Sequence, residues 1–238
     1  MTLIWAHRGA SKVAPENTLP AFETAVALGA DGVELDVQRT SDGELVVCHD
    51  EKIDRTSNGQ GYIADHTLDE LRAFDFSNHK DGFSQIPIPT LAQVLKLLKP
   101  TSLSINIELK NSVLAYRGME SQVADLVHSK GWDDRVIYSS FNHRSMRVMA
   151  DRGYPVGLLY ETVMWKPWEY GDKLGAKALH PAGSAVRLNP RCVRKAHSNG
   201  MSVNVWTIDE AEHMKALIDL GVDAIITNAP DVAVGQRD

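Results

Sequence analysis

Val33-Glu-Leu-Asp-Val-Gln-Arg-Thr-Ser-Asp-Gly-Glu-Leu-Val-Val-Cys-His49-Asp50 is the stretch from which the architecture unfolds. Val33, Leu35 and Val37 alternate with Glu34, Asp36 and Gln38. A period of two in a strand places Glu34 and Asp36 on one face and the aliphatics on the other. Asp42-Gly43 then predicts a two-residue hairpin turn, because Asp-Gly tolerates positive φ at both central positions. That register pairs Ser41 with Glu44 and sets Asp36 opposite His49 on a shared face. Two carboxylates and an imidazole would converge there. The alternative is an edge strand with a solvated polar face.

Outward from this stretch, Gly29, Gly131, Gly153, Gly175, Gly200 and Gly221 each follow a helix-like segment and precede a short apolar run. Glycine suits the residue after a helix, where the left-handed conformation is often needed. The runs are 32–37, 136–141, 156–160, 176–179, 202–207 and 224–227, with 3–7 opening the chain and 104–110 following Pro100. Eight strands alternating with helices, apart from the hairpin return at 45–49, predict a closed (β/α)8 TIM barrel. One domain then spans 1–238.

Residues 50–89 break the pattern with polar, turn-rich sequence including Arg55-Thr-Ser-Asn-Gly-Gln-Gly61. Thr67 with Glu70 predicts a capped short helix, and Thr90 with Gln93 repeats the device where the barrel resumes. About 40 residues is too long for an ordinary βα loop, so the stretch reads as a small inserted subdomain or lid after the second strand, placed to shape substrate access.

The balance of 43% hydrophobic and 24% charged residues is that of a globular protein. A net charge of −6 argues against a broadly basic surface for nucleic acid or anionic lipid, while leaving room for a local patch. No run approaches the roughly 20 apolar residues of a membrane span, so no membrane insertion is expected. The first nine residues lack a basic region and a long apolar core, unlike a signal peptide. Cys48 and Cys192 have no metal-type spacing and read as free thiols, which makes the cytoplasm the expected location. The oligomeric state is left open.

Active sites of such barrels lie at the C-terminal strand ends. There the sequence gathers His7-Arg8-Gly9, Glu34 and Asp36, Glu108 and Lys110, Ser139-Ser140, His180, Trp206-Thr207 and Thr227-Asn228. Glu108 and Lys110 share a face, with Asn106 below them. Glu34, Asp36 and Glu108 offer only oxygen donors, a set suited to a hard cation, Mg²⁺ or Ca²⁺. With one divalent ion and the cations Arg8 and Lys110, that site keeps one positive charge, which a phosphodiester would neutralise. A structural ion-pair cluster is the competing explanation, although buried like charges are costly without a cation. Asn17 or Thr18 are candidates to cap the helix containing Pro20, Thr18 the better of the two. Trp206 suits either a wall of the site or core packing, and a lone strand-end His180 suits a structural role.

His7-Arg8-Gly9, Pro15-Glu-Asn-Thr18, Glu34-Leu-Asp36, His49-Asp50, Glu108-Leu-Lys110, Val205-Trp-Thr207 and Thr227-Asn-Ala-Pro230 occur in this order. In that ordered combination the chain resembles the glycerophosphodiester phosphodiesterase family from first strand to last, and Arg55-Thr-Ser-Asn-Gly59 resembles the family's inserted subdomain. Leu109 stands where isoleucine is common and Asn228 where aspartate is common. The resemblance implies a metal held by Glu34, Asp36 and Glu108, His7 and His49 as acid and base, and phosphate held by Arg8 and Lys110, with Trp206 beside the glycerol. It also implies hydrolysis of a small-molecule glycerophosphodiester to glycerol 3-phosphate and an alcohol, by attack of the neighbouring glycerol hydroxyl or of water. The rivals are a phospholipase D-like lipid phosphodiesterase of the same superfamily and a non-catalytic barrel that only binds. The first usually comes with a signal peptide and disulfides, and the second predicts loss of a ligand or histidine.

Overall fold

The computed structural model describes residues 1–237. Its strands are β1 (Leu3–His7), β2 (Gly32–Arg39), β3 (Leu45–Val47), β4 (Ser104–Leu109), β5 (Val136–Ser140), β6 (Val156–Tyr160), β7 (Ala178–Pro181), β8 (Ser202–Val205) and β9 (Ala224–Thr227). All but β3 pair in parallel, and β1 bonds to both β2 and β9, which closes an eight-stranded (β/α)8 barrel. The helices are α1 (Leu19–Ala27), α2 (Leu68–Leu71), α3 (Leu91–Leu98), α4 (Met119–Ser129) and α5 (His143–Ala150). They continue as α6 (Pro167–Leu174), α7 (Gly183–Leu188), α8 (Arg191–His197), α9 (Ala211–Leu220) and α10 (Pro230–Arg237).

Strand alternation sorts the side chains. Ile4, Ala6, Val33, Leu35, Val37, Ile105, Ile107 and Leu109 join the large core between strands and helices. Trp5, Ala224 and Ile226 form a separate small cluster, on the opposite faces of their strands. The polar residues Glu34, Asp36, Asn106, Glu108, Ser139, His180 and Asn204 are buried on that inner side. Backbone periodicity therefore carries the polar residues inward, as the alternation of 33–38 requires.

The hairpin departs from expectation by one residue. Val37 pairs with Val47, Gln38 with Val46 and Arg39 with Leu45, so Asp36 faces Cys48 and not His49. The turn holds three residues: Gly43 N–H donates to Thr40 O, and Thr40 N–H donates to Glu44 O. Gly43 takes φ +93°, as in a turn closed by a bulge. Asp42 accepts hydrogen bonds from the Thr40 hydroxyl and from Leu68 N–H, which draws it out of the tight turn and ties the hairpin to α2. Val37 pairs with Leu109 on one edge and with Val47 on the other, so β3 takes over the β2 edge beyond the end of β1.

Strand β7 begins at Ala178, two residues later than the sequence pattern suggests. Gly175 at φ +71° ends α6, and Ala176 N–H donates back to Gly171 O, so Ala176 belongs to the helix cap. Thr18 occupies the N-cap position of α1, but its hydroxyl donates to Pro15 O and caps no helical N–H. Both anticipated capping boxes, at Thr67/Glu70 and Thr90/Gln93, form. Between β3 and α3 the chain buries Ile53, Ile63, Leu68, Leu71, Phe76 and Ile88 with Val46 and Cys48 in a cluster of its own.

Candidate active site

At the C-terminal end of the barrel, His7, Arg8, Glu34, His49, Asn106, Glu108 and Trp206 line one cavity of about 80 Å³, with Phe141, Leu159, Glu161 and Ile226. A larger groove of about 410 Å³ lies between α7 and α9 and shares Trp206 with it. That groove offers no pair of carboxylates and no second imidazole, so the smaller cavity is where chemistry can occur.

Glu34, Asp36 and Glu108 are buried, with ligand oxygens within 4.8 Å of one another. Burial, then the neighbouring Asp36 and Glu108 charges, pushes Glu34 well above the usual carboxylate range, and burial with Asp36 raises Glu108. Burial alone would raise Asp36 as well, but Arg8 and Lys110 outweigh it and hold its carboxyl low. Lys110 Nζ donates to Glu108 Oε1 at 2.9 Å and lies 3.7 Å from Asp36 Oδ1. Asp36 Oδ1 and Arg8 Nε are both buried without a hydrogen-bond partner. An orphaned carboxylate oxygen among three buried acids fits a hard cation, while Arg8 Nε lies 3.4 Å from Asp36 Oδ2 as an ion pair.

Asp36 is further fixed by Asn17, whose Nδ2 donates to Asp36 Oδ2 at 2.8 Å. Asn17 takes φ +57°, a conformation that asparagine tolerates better than most residues. Its task is therefore orientation of a carboxylate, not helix capping.

His7 is neutral. Burial, helped by the Arg8 charge, lowers it to about 4. Asn228 Nδ2 donates to Asp209 Oδ2, a carboxylate that can only accept, so Asn228 Oδ1 faces His7 Nδ1 at 2.7 Å. Nδ1 of His7 must carry the proton, which leaves Nε2 as a free base 3.9 Å from Glu34 Oε2. His49 reaches the cavity from the bend after β3, not from the ladder, and its backbone carbonyl accepts from Gln38 Nε2. Its Nδ1 lies 2.6 Å from Asp50 Oδ1. The hydrogen bond from His49 keeps Asp50 ionised well below the ordinary range.

An ionic chain joins the surroundings of the two histidines. Arg8 Nη1 donates to Glu16 at 2.9 Å, Arg55 bonds Glu16 through both terminal nitrogens, and Arg55 Nε reaches Asp50 at 2.7 Å. Glu16, Arg55 and Asp50 are bonded around the two histidines, and Asp209 bonds Asn228 beside His7, although the sequence pattern marks none of them for a task; partners up to 39 residues apart leave no local signal. Trp206 donates from Nε1 to His180 O at 2.7 Å and meets Phe141 edge-on, with centroids 5.6 Å apart. It is both packed and part of the wall. His180 lies fully buried beneath, with Asn204 Nδ2 at 3.0 Å from its Nε2. Asp36 and Lys110 do not line this cavity themselves; Lys110 contacts it through Glu108.

Residues 7–232 match the model of the glycerophosphoryl diester phosphodiesterase family. A glycerophosphodiester phosphodiesterase of Caldanaerobacter subterraneus is 41% identical over 236 residues, covering 98% of this chain and 96% of the relative. One from Bacillus altitudinis is 39% identical, covering 100% and 99%. Among solved structures, a glycerophosphodiester phosphodiesterase of Agrobacterium tumefaciens superposes with a TM-score of 0.86 at 28% identity, covering 99% of this chain and 100% of that one. An Oleispira antarctica phosphodiesterase in complex with its product sn-glycerol-3-phosphate gives 0.89 at 27% identity, covering 100% and 97%.

Proposed function

The chain belongs to the glycerophosphoryl diester phosphodiesterase family, and from that membership we propose that it hydrolyses glycerophosphodiesters to glycerol 3-phosphate and an alcohol by histidine acid–base catalysis. The observation that carries the histidine roles is a pair of imidazoles lining one cavity in opposite electrostatic settings. His7 is buried and beside Arg8, which favours the neutral ring, whereas His49 is hydrogen-bonded to the Asp50 carboxylate. His7 is therefore the starting base and His49 the starting acid.

His7 Nε2 takes the proton of the glycerol hydroxyl next to the ester, whose oxygen bonds to phosphorus. The bond from phosphorus to the leaving alcohol breaks, and His49 protonates the departing oxygen. A cyclic phosphate results. In the second step His49, now neutral, deprotonates water, whose oxygen bonds to phosphorus; the ring P–O bond formed in the first step breaks, and His7 returns its proton to the departing glycerol oxygen. Asn228 and Asp50 hold the rings in the tautomers these transfers need. Arg8 and Lys110 offset negative charge on the phosphoryl oxygens. Glu34, Asp36 and Glu108 would hold one divalent cation, Mg²⁺ or Ca²⁺, which supplies Lewis-acid stabilisation of that charge when bound. Trp206 walls the site beside the glycerol.

The inserted segment, in this reading, serves the site through Arg55, which braces Glu16 and Asp50. A cytoplasmic location accords with Cys48 and Cys192, buried free thiols that burial pushes up to about 12 and about 11.

Glycerol 3-phosphate release from glycerophosphocholine tests the reaction. Replacing either His7 or His49 by Ala should lower kcat by roughly 10²–10⁴. A p-nitrophenyl diester of glycerol phosphate needs little protonation of its leaving group, so it should rescue His49→Ala and leave His7→Ala impaired. Rescue of His7→Ala instead would reverse the assignment, and wild-type rates in either variant would end it.

A further inference from the structure

Charge is unevenly spread along this chain. Residues 173–208 contain Lys173, Lys177, Arg187, Arg191, Arg194 and Lys195 but no Asp or Glu, within a protein of net charge −6. All six cations are exposed. Of these, Arg187, next to Leu188, and Arg191 adjoin a strongly exposed apolar surface: Trp165 is 80% accessible, with Leu188 at 71% and Val163 at 47%. These three line one open groove of about 410 Å³ with Met164, Pro190 and Arg191. The Arg191 guanidinium sits 5.4 Å from the centroid of the Trp165 ring. Lys166 adds little, since Glu169 holds it at 2.6 Å.

A tryptophan and two branched aliphatics left in water by neighbouring loops need an explanation, because scattered apolar exposure is ordinary but a clustered patch is not. The loop that bears Trp165 follows β6, and its first residue, Glu161, lines the catalytic cavity. The patch therefore lies on the same end of the barrel as the site.

We propose that this surface docks the protein onto anionic phospholipid bilayers. Trp165, Val163 and Leu188 enter the boundary between headgroups and acyl chains, while Arg187 and Arg191 pair with lipid phosphates from the rim. Tryptophan favours that boundary, and arginine stems lie along apolar surface with their charge in the headgroup layer. A nucleic acid would match the cations but gives Val163 and Leu188 nothing to bury against. The contact is peripheral: among the described residues no helix is long and apolar enough to cross a membrane. The inference goes beyond the catalytic reading and does not require it.

Flotation of the whole protein with phosphatidylcholine vesicles, with and without phosphatidylglycerol, tests this directly. Binding is expected only with phosphatidylglycerol, and should weaken between about 0.05 M and about 0.5 M NaCl as the charges are screened. Joint Arg187→Glu and Arg191→Glu substitution should weaken it by more than roughly 25-fold, at about fivefold for each cation lost. Joint Trp165→Ala and Leu188→Ala substitution should abolish it while leaving Tm and kcat/KM on soluble glycerophosphodiester unchanged. No flotation of the wild-type protein, or undiminished flotation of the Trp165/Leu188 variant, overturns the proposal. So does dimerisation through this patch, or a single-stranded oligonucleotide that binds it in place of vesicles.

Discussion

Replacing Glu34 with Gln should stabilise the protein in chelator and destabilise it, relative to wild type, in metal. Ligand oxygens of Glu34, Asp36 and Glu108 lie within 4.8 Å of one another. At that distance two carboxylates repel by about 3.5 kcal/mol at an effective dielectric of about 20. Glu34 meets two such neighbours, and Arg8 offsets part of the repulsion. Because Glu34, raised by burial and by its neighbours, can take up a proton rather than bear that repulsion in full, a net cost of about 1–2 kcal/mol is expected without a cation. Glutamine keeps the volume and still accepts the Arg8 N–H that now donates to Glu34 Oε2 at 3.0 Å. In EDTA the Glu34→Gln protein should therefore melt roughly 2–8 °C higher than wild type, at about 2–4 °C per kcal/mol for a chain of this size. A divalent ion at about 100 times its Kd adds about 2.7 kcal/mol to wild type, or roughly 5–10 °C. The variant, short of one charged ligand, should gain little. Scanning calorimetry in EDTA, MgCl₂ and CaCl₂ reads both signs. A variant less stable than wild type in EDTA, with an equal response to metal, would mean that the three acids form a structural ion-pair cluster and hold no cation.

Asn17→Gly keeps positive φ available but removes the donor to Asp36; kcat and metal affinity should fall about 10–100-fold with Tm nearly unchanged, and an unaltered kcat would remove Asn17 from the site. Gly157→Ala would place Cβ 2.3 Å from His180 Nε2, an overpacking expected to cost about 1–3 kcal/mol; a thermal melt identical to wild type would refute that contact. Burial lowers His180 to about 3, so the unfolded chain, titrating near 6.5, takes up the proton first. Its contribution to stability is complete above about pH 6.5 and is lost as pH falls toward 3, by up to roughly 1.4 kcal/mol per unit. Urea unfolding at pH 7 and pH 5 should show wild type losing about 2 kcal/mol more than His180→Gln; parallel losses would show that His180 is not the group responsible.

The inward placement of Glu34, Asp36, Glu108 and Asn106 could be read from sequence because the backbone imposes a period of two on any strand. The glycine-marked helix ends were legible for a similar reason: Gly29, Gly131, Gly153, Gly175, Gly200 and Gly221 all take positive φ. The hairpin register was not. One extra turn residue shifts the whole ladder, and the three-residue turn comes with a long-range bond from Leu68 N–H to Asp42 that no local pattern signals. His49 lines the cavity nonetheless, carried there by a bend that no pairing rule describes. The orientation of His7 depends on Asp209 acting through Asn228, which is a matter of three-dimensional hydrogen bonding with no spacing to betray it.

That same contact gives the site an order of assembly. His7 ends β1, the first strand of the barrel to be made, yet the amide that sets its tautomer lies 221 residues later, just past β9. Until β9 is made, β1 has only β2 as a neighbour and the barrel stands open. A nascent chain that has emerged as far as β5 already carries all three carboxylates and Lys110, together with both imidazoles, but nothing yet selects which His7 nitrogen holds the proton. On the proposed mechanism, competence to bind a cation should thus precede competence to cleave during synthesis, His7 acquiring its working tautomer only when the last strand closes the ring.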